Sequence, residues 1–280
     1  MLKVSSSIVS CEWLKEHLNH KDLIVLDATI PKVTVKGEQS LSGKRRIPTS
    51  RFFDIKGNFS NSNASFPNTM LSPSNFEKEA QSLGINQDSC LVIYDEHGVY
   101  SSPRAWFMFK SMGFENAAVL NGGLPLWMER GYATDEIIQE SYKKGHFKSQ
   151  PIPEGFLNSE EVLSLTASKK HQILDARSEA RFLGKAPEPR EGVRSGHIPN
   201  SKSLPYSSLL SGFELKSKNE LEVFYKELNS ENNPMVFSCG TGITACVLAL
   251  GAEILGYEDY AVYDGSWTEW GSTLNLPIEV

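Results

Sequence analysis

The sequence predicts an α/β protein made of two related domains, each a mostly parallel sheet flanked by helices. The chain has 280 residues, of which 40% are hydrophobic, enough for one large core or two of average size. Short apolar runs alternate with helical stretches in both halves, which is typical of parallel sheets covered on both faces. The second half also repeats motifs of the first half in the same order, which favours two domains.

Five motifs recur in the two halves. They are a strand ending in Asp-Ala, an Ile-Pro step, a central apolar strand, a Gly-aromatic turn, and a strand followed by glycine and tryptophan. The paired segments are 23–28 and 172–177, 46–50 and 197–201, 91–95 and 235–239, 112–114 and 255–257, and 119–127 and 262–270. We therefore predict a first domain over residues 1–138, a polar linker over 139–157 and a second domain over 158–280.

Local signals place the elements of the first half. A long loop rich in Asn and Ser is predicted over residues 52–73. Ser74 and Glu77 have the spacing of a capping box, which predicts that a helix begins there. Ser102 followed by Pro103 fits a helix N-cap with proline in the first turn.

The second half contains the most informative segment of the chain. An apolar run over 235–238 leads to Cys239, a Gly-Thr-Gly turn follows, and a helix is predicted over 245–255. Cys239 then lies at a strand end, where loop amides and a helix N-terminus favour negative charge on its sulfur. Because the thiolate is the reactive form of cysteine, we predict that Cys239 is a nucleophile. The repeat places Asp95 at the equivalent position of the first half, so only the second domain is predicted to be catalytic.

Composition excludes several classes of function. A net charge of −6 disfavours a nucleic-acid surface, and no apolar run approaches the roughly 20 residues that cross a membrane. The N-terminus lacks the long apolar stretch of a secretory signal, and four scattered cysteines without a CxxC pair favour a reducing, cytoplasmic compartment. The six histidines are dispersed, so no metal site is predicted.

The motifs resemble those of the two-domain rhodanese family of sulfurtransferases. The resemblance rests on the Asp-Ala strand end, the His-Ile-Pro motif at 197–199 and the Cys-Gly-Thr-Gly-Ile-Thr-Ala loop at 239–245. It implies a fold of two tandem rhodanese-like domains. Gly240 and Thr241 are similar to the 3-mercaptopyruvate branch of the family, since members that prefer thiosulfate typically have Arg and Lys there.

The resemblance also implies a mechanism. Cys239 would take the sulfur of 3-mercaptopyruvate as a persulfide and release pyruvate, and a thiol such as thioredoxin, or cyanide, would remove the sulfur without any cofactor. Arg181 and Arg190 match the positions that bind the substrate, and a guanidinium can hold a carboxylate by paired hydrogen bonds. Thr241 would contact the substrate or relay a proton, although a role only in capping the loop fits equally well. The other loop positions expected to bind substrate or persulfide are Gly240, Gly242, Ile243 and Thr244.

One position departs from the family pattern. The first-domain motif usually reads His-Ile-Pro, with the histidine in a proton relay, whereas this chain has Arg46. An arginine stays protonated, so either the relay is dispensable or Arg46 contributes charge towards the substrate. His197 keeps the motif in the second half, where we expect it to fix a loop by hydrogen bonds. Asp175 is expected to anchor a strand end.

Alternative functions remain open from the sequence. A thiosulfate:cyanide sulfurtransferase is the nearest one, and a non-catalytic sulfur carrier or scaffold is another. A cysteine-based phosphatase is disfavoured, since those enzymes need arginine six residues after the cysteine and this chain has Ala245. Cys246 is expected to be a small packed side chain rather than a resolving thiol.

Overall fold

The computed structural model of the chain contains two compact α/β units. It describes residues 1–32, 45–136, 141–153, 155–168 and 170–280. The first unit comprises residues 1–61, 70–152 and 211–215, and the second comprises 62–69, 153–210 and 216–280.

The first unit is built on a five-stranded parallel sheet. The strands in its sequence are β1 (Ile8–Val9), β2 (Leu23–Asp27), β3 (Arg45–Arg46), β4 (Arg51–Phe52), β5 (Cys90–Tyr94), β6 (Ala117–Leu120) and β7 (Asp135–Glu136). The helices are α1 (Cys11–His17), α2 (Pro73–Ser82), α3 (Ser102–Ser111) and α4 (Gly123–Glu129). The sheet order is β1-β6-β5-β2-β4, and β3 pairs antiparallel with β7. Strands β5 and β6 are buried along their length, as expected for the centre of a covered parallel sheet.

The second half of the chain repeats this architecture. Its strands are β8 (Phe156–Leu157), β9 (Gln172–Asp175), β10 (Ser201–Ser203), β11 (Leu210–Ser211), β12 (Glu214–Leu215), β13 (Met235–Ser238) and β14 (Tyr260–Tyr263). Its helices are α5 (Ser159–Ser168), α6 (Glu179–Phe182), α7 (Lys218–Leu228), α8 (Ala245–Leu255) and α9 (Ser266–Ser272), with a 3₁₀ turn at Tyr206–Leu209. The parallel sheet has the order β10-β9-β13-β14-β8, so each strand occupies the place of its repeat partner. The predicted fold class is confirmed.

The two repeats also share a buried tryptophan. Trp127 of α4 donates its indole N–H to the carbonyl of Ala133 at 2.8 Å, and Trp270 of α9 donates to the carbonyl of Pro277 at 2.7 Å. Both rings lie in the core of their own unit, which satisfies the one polar atom of each side chain. Among the described residues, no helix combines the length and the apolar character needed to cross a membrane.

Two helix starts differ from the prediction by one or two residues. The N-cap of α2 is Ser72, whose hydroxyl accepts from the Asn75 amide at 3.4 Å, rather than Ser74. Pro73 is the reason, because its fixed φ suits the first helical position and moves the cap to the preceding residue. The N-cap of α3 is Ser101, because the hydroxyl of Ser102 donates instead to a buried carboxylate.

The segment 141–152, which lies within the predicted linker, packs on the first unit. Phe147 is fully buried, and its ring contacts Phe76, Phe109 and Phe114 at centroid distances of 5.7–6.0 Å. Its carbonyl accepts from the side-chain amide of Gln81 at 2.9 Å. Although the composition of this segment is polar, Phe147 therefore packs it into the hydrophobic core of the first unit. The domain bounds at 138, 139, 157 and 158 stay a prediction, and residues 139, 140 and 154 lie outside the described ranges.

Two cysteines of the first unit are buried structural thiols. Burial raises the pKa of Cys11 to about 12 and that of Cys90 to about 11, from an ordinary value of 9.0. Negative side chains add to the effect, Glu12 beside Cys11 and Asp22 beside Cys90. Both thiols therefore stay protonated in the folded protein well above neutral pH.

We expect iodoacetamide at pH 8 to leave Cys11 and Cys90 unmodified in the folded protein and to modify both in urea. Because the unfolded thiols ionise near pH 9 and the folded ones do not, their contribution to stability is present below pH 9 and is lost as the pH rises towards 11 and 12. Peptide mapping by mass spectrometry measures the labelling. Modification of either thiol at pH 8 without denaturant, at the rate seen in urea, would contradict this expectation.

Candidate active site

Cys239 is the first residue after the central strand β13. This strand lies between β9 and β14, so its C-terminal end opens at the middle of the sheet edge, where parallel α/β folds place their ligands. The loop 240–244 then turns into α8, which begins at Ala245 as predicted, and Gly242 has a φ of +75° that suits glycine. Cys239 is 1% exposed. The structure therefore holds the predicted nucleophile at a buried strand end beside a helix N-terminus.

The carbonyl groups of the loop are anchored to neighbouring helices. The carbonyl of Cys239 accepts from the Trp267 amide at 2.9 Å, and that of Gly240 accepts from the amide and hydroxyl of Thr268 at 2.9 and 2.7 Å. The carbonyl of Gly242 accepts from the Cys246 thiol at 3.4 Å. Cys246 is fully buried on α8, which agrees with a packing role.

Anchoring the carbonyls determines where the loop amides point. In a trans peptide, the N–H of the next residue points opposite to the carbonyl. The amides of Gly240 and Thr241 are therefore turned away from α9, and within the described ranges neither they nor the Ile243 amide donates to a protein acceptor. Among the described residues, the Thr244 amide has no protein acceptor either. Since buried amides normally have partners, these four groups are donors that the loop leaves available to an anion.

Ser266 at the start of α9 was missed by the sequence analysis. Its buried hydroxyl accepts from the amides of Cys239 and Gly242, both at 3.1 Å, and donates to the Tyr263 carbonyl at 2.9 Å. Its oxygen lies 3.9 Å from the Cys239 sulfur. The Gly242 amide therefore has an acceptor within the protein, unlike its neighbours in the loop.

The repeat held a signal for Ser266. The equivalent residue of the first half is Gly123, with φ of +53°, and Ser266 has φ of +49°, a conformation that is uncommon outside glycine. A serine in a backbone conformation that favours glycine indicates that its hydroxyl has a role, here as a hydrogen-bonding group.

In the first unit, the equivalent loop surrounds the carboxylate of Asp95. The Asp95 carboxylate accepts from the amides of Tyr100, Ser101 and Ser102 at 2.9–3.0 Å, and from the Ser102 hydroxyl at 2.6 Å. The Asp95 carbonyl accepts from the Leu124 amide at 3.0 Å, as Cys239 does from Trp267. The repeated strand-loop-helix unit is thus an anion cradle, and in the first unit the chain's own carboxylate occupies it.

Arg181, which is predicted to bind substrate, lies against the loop. It makes paired hydrogen bonds to Glu188 at 3.2 and 2.5 Å, and Glu188 also accepts from Arg177 at 2.8 Å. A Cβ on Gly240 would lie 3.3 Å from Nη2 of Arg181, so glycine permits this close approach. The pairing with Glu188 uses Nε and Nη2, and Nη1 lies 3.8 Å from the same Cβ position on Gly240.

Arg190 reaches the same loop through α9. Its Nη1 donates to the hydroxyl of Thr268 at 3.4 Å, and Thr268 in turn donates to Gly240. Sequence reasoning did not find Thr268, since nothing local marks a threonine after tryptophan as functional.

The remaining loop residues lie where the sequence placed them. Thr241 is 9% exposed, and its carbonyl accepts from the side-chain amide of Asn68 at 3.4 Å. Ile243 is buried, and Thr244 is the N-cap of α8 without a side-chain capping bond. Asn68 comes from the segment 62–69 of the second unit, which sequence analysis had treated only as a surface loop.

The two structural expectations are confirmed. His197 stacks on Phe182 at 3.9 Å, and its Nδ1 lies 2.9 Å from the Phe182 carbonyl, which fixes the loop after α6. Asp175 ends β9 and pairs with Arg177, with a closest distance of 2.6 Å.

Arg46 lies in the first unit, where its Nη1 donates to the Ser50 carbonyl at 2.9 Å. Over the described ranges, no group of three or more His, Cys, Asp or Glu side chains has the arrangement of a metal site.

Comparisons with known proteins agree with this geometry. A family model for the rhodanese-like domain matches residues 10–130 and again 158–273. The chain is 36% identical to thiosulfate/3-mercaptopyruvate sulfurtransferase 1, mitochondrial, of Arabidopsis thaliana, over 99% of this chain and 79% of the relative. It is 34% identical to the 3-mercaptopyruvate sulfurtransferase of Escherichia coli strain K12, over 97% of each chain. The crystal structure of an E. coli 3-mercaptopyruvate sulfotransferase superposes with a TM-score of 0.83 at 31% identity, over 94% of this chain and 99% of that one.

We expect Ser266→Ala to lower the rate of reaction at Cys239 about tenfold or more. The change leaves two buried amides without their acceptor, which costs about 1–3 kcal/mol for each group. The measurement is the rate of Cys239 alkylation by iodoacetamide together with the free energy of unfolding. Ser272→Ala, in the same helix but exposed, is the control and should match the wild type. An unchanged alkylation rate and stability in Ser266→Ala would refute the anchoring role.

Proposed function

We infer that this chain, which belongs to the rhodanese-like family with one such domain in each half, is a sulfurtransferase that moves sulfur from 3-mercaptopyruvate to Cys239. The observation that carries the proposal is the cysteine at the end of β13, within a loop of unpartnered amides, with Arg181 against Gly240. Sulfur transfer needs a nucleophilic thiolate and a way to hold an anionic donor, and Cys239 and Arg181 are the residues suited to these two roles.

The first half-reaction forms a persulfide. The Cys239 thiolate attacks the thiol sulfur of the donor, a new S–S bond forms, and the C–S bond breaks with its electron pair passing to carbon. The carbon product is the enolate of pyruvate, which takes up a proton to give pyruvate. The amides of Gly240, Thr241 and Ile243 are suited to hold the negative charge of the thiolate and then of the persulfide.

Two arginines hold the carboxylate of the donor in this scheme. Arg181 pairs with Glu188 through Nε and Nη2, so its Nη1 is available to the donor carboxylate. Arg190 lies beside Thr268. A guanidinium matches the flat carboxylate and adjacent ketone of mercaptopyruvate by paired hydrogen bonds. Thr241, which is nearly buried in the loop, serves as a hydrogen-bonding group for the substrate.

The second half-reaction restores the free thiolate of Cys239. A thiolate such as that of thioredoxin, or cyanide, attacks the outer sulfur, and Cys239 leaves as the thiolate. No cofactor takes part in either step, because sulfur itself is the group transferred. A cytoplasmic location suits this thiol chemistry, and no disulfide links the four cysteines of the chain, all of which lie within the described ranges.

Thiosulfate is the second candidate donor, and the name of the Arabidopsis relative contains both substrates. Thiosulfate is a compact dianion that cationic side chains next to the sulfur would attract. Residues 240 and 241 of this chain are neutral, which favours mercaptopyruvate. A non-catalytic scaffold has less support, since a scaffold has no need for the arginine against Gly240 or for the anchored loop.

Incubation with 3-mercaptopyruvate should add one sulfur atom to the protein and release one equivalent of pyruvate. Intact-mass analysis followed by peptide mapping should place the added sulfur on Cys239. Cys239→Ser should gain no sulfur, whereas Cys90→Ala, which removes a buried thiol of the first unit, should gain it normally. A wild-type protein that gains no sulfur, or gains it on another cysteine, would refute the proposed function.

We expect a higher kcat/KM with 3-mercaptopyruvate than with thiosulfate. Arg181→Lys should raise KM for mercaptopyruvate about tenfold, because lysine cannot pair with Glu188 and face the carboxylate at the same time. Arg130→Lys, at an exposed ion pair with Glu12, is the matched control and should not change KM. A larger kcat/KM with thiosulfate would make thiosulfate the proper donor.

A further inference from the structure

Thr268 makes three hydrogen bonds with its amide and its hydroxyl. It lies on the first turn of α9 and is 9% exposed. Its amide and its hydroxyl both donate to the carbonyl of Gly240, at 2.9 and 2.7 Å, and the hydroxyl accepts from Nη1 of Arg190 at 3.4 Å. One carbonyl of the loop therefore has two donors from a single residue.

The direction of this hydrogen-bond chain is fixed by chemistry. A guanidinium can only donate, so the hydroxyl of Thr268 accepts from Arg190. The single hydroxyl proton is then directed to Gly240, the nearer acceptor at 2.7 Å. Because hydrogen bonds in series polarise one another, the positive charge of Arg190 strengthens the bond to the Gly240 carbonyl.

The polarised carbonyl belongs to the peptide whose N–H is the Thr241 amide. That amide points opposite to the carbonyl and is one of the loop donors without a protein acceptor. Drawing electron density to the carbonyl makes the amide a stronger donor. The bonds at Thr268 thus determine both the orientation and the strength of a donor beside the sulfur.

We propose that Thr268 is a positioning residue that couples the donor-binding Arg190 to the Thr241 amide of the sulfur cradle. The proposal rests on the proposed function and adds a specificity step to it. A donor whose carboxylate orders Arg190 also orders the peptide that stabilises the developing persulfide. Thr268 contacts neither the donor nor the reacting sulfur in this account, and it acts through Gly240 and Arg190.

The test compares Thr268→Val with Thr268→Ser. Valine has the shape of threonine and keeps the backbone bond to Gly240, but it removes the hydroxyl that accepts from Arg190. We expect Thr268→Val to lower the rate of persulfide formation from 3-mercaptopyruvate about tenfold and to raise KM, with Thr268→Ser within about twofold of the wild type. Thr273→Val is the matched control, since that hydroxyl donates only to the carbonyl of Glu269, and it should leave both parameters unchanged.

A double-mutant cycle with Arg190→Lys tests the coupling itself. If Thr268 transmits the position of Arg190, the double variant should be impaired about tenfold less than the product of the single effects. Multiplicative effects would overturn the coupling. So would a Thr268→Val variant equal to the wild type while the wild type forms the persulfide normally. A wild type that forms no persulfide would instead refute the proposed function.

Folding is monitored by thermal unfolding of each variant. If Thr268→Val does not fold, Thr268→Ala replaces it, since alanine also removes the hydroxyl and keeps the amide. Failure of both to fold while Thr268→Ser folds would overturn the proposal, because the hydroxyl would then be needed for the fold rather than for coupling.

Discussion

The site depends on how the backbone carbonyls after β13 are held. The carbonyls of Cys239 and Gly240 bond to the first turn of α9, and that of Gly242 bonds to the α8 thiol of Cys246. Each bond fixes a peptide plane, and each fixed plane aims the following amide in the opposite direction. Buried amides without acceptors cost free energy in the folded protein. Within the described ranges, the second unit therefore keeps loop amides without protein acceptors, which in the proposed function hold the negative charge on sulfur.

The gene duplication visible in the chain provides an internal control for this interpretation. In the first unit the same strand, loop and helix surround Asp95, and its carboxylate accepts four hydrogen bonds on one oxygen. The chain's own side chain thus occupies that cradle. In the second unit a neutral residue type, cysteine, occupies the equivalent position. The two loops thus share a backbone design and differ in the side chain at its centre, Asp95 or Cys239, and in Ser266, which stands where the first unit has Gly123.

Sequence reasoning succeeded where the signal was local or repeated. The alternation of strands and helices, the exact span of α8 and the position of Cys239 all depend on short-range patterns and on the internal repeat. It failed for Ser266 and Thr268, which lie 24 to 28 residues from their partners in the loop segment and act through tertiary contacts. It misplaced the start of α2 because Ser72 and Ser74, on either side of Pro73, compete as caps. It also did not identify Phe147 as a buried residue within the segment predicted as a linker.

The charged residues beside the loop show why position matters more here than stability. Arg177 and Glu188 are nearly buried, and Glu188 also pairs with Arg181, which is partly exposed. Buried ion pairs gain little net stability over apolar packing, because desolvation offsets their attraction. What the network provides is a fixed direction for the Arg181 guanidinium. Arg177 also lies 4.3 Å over the ring of Trp267, whose amide anchors Cys239. Arg177 therefore contacts both Glu188, which fixes Arg181, and Trp267, which anchors Cys239, so the arginine and the loop of the proposed site share one buried support.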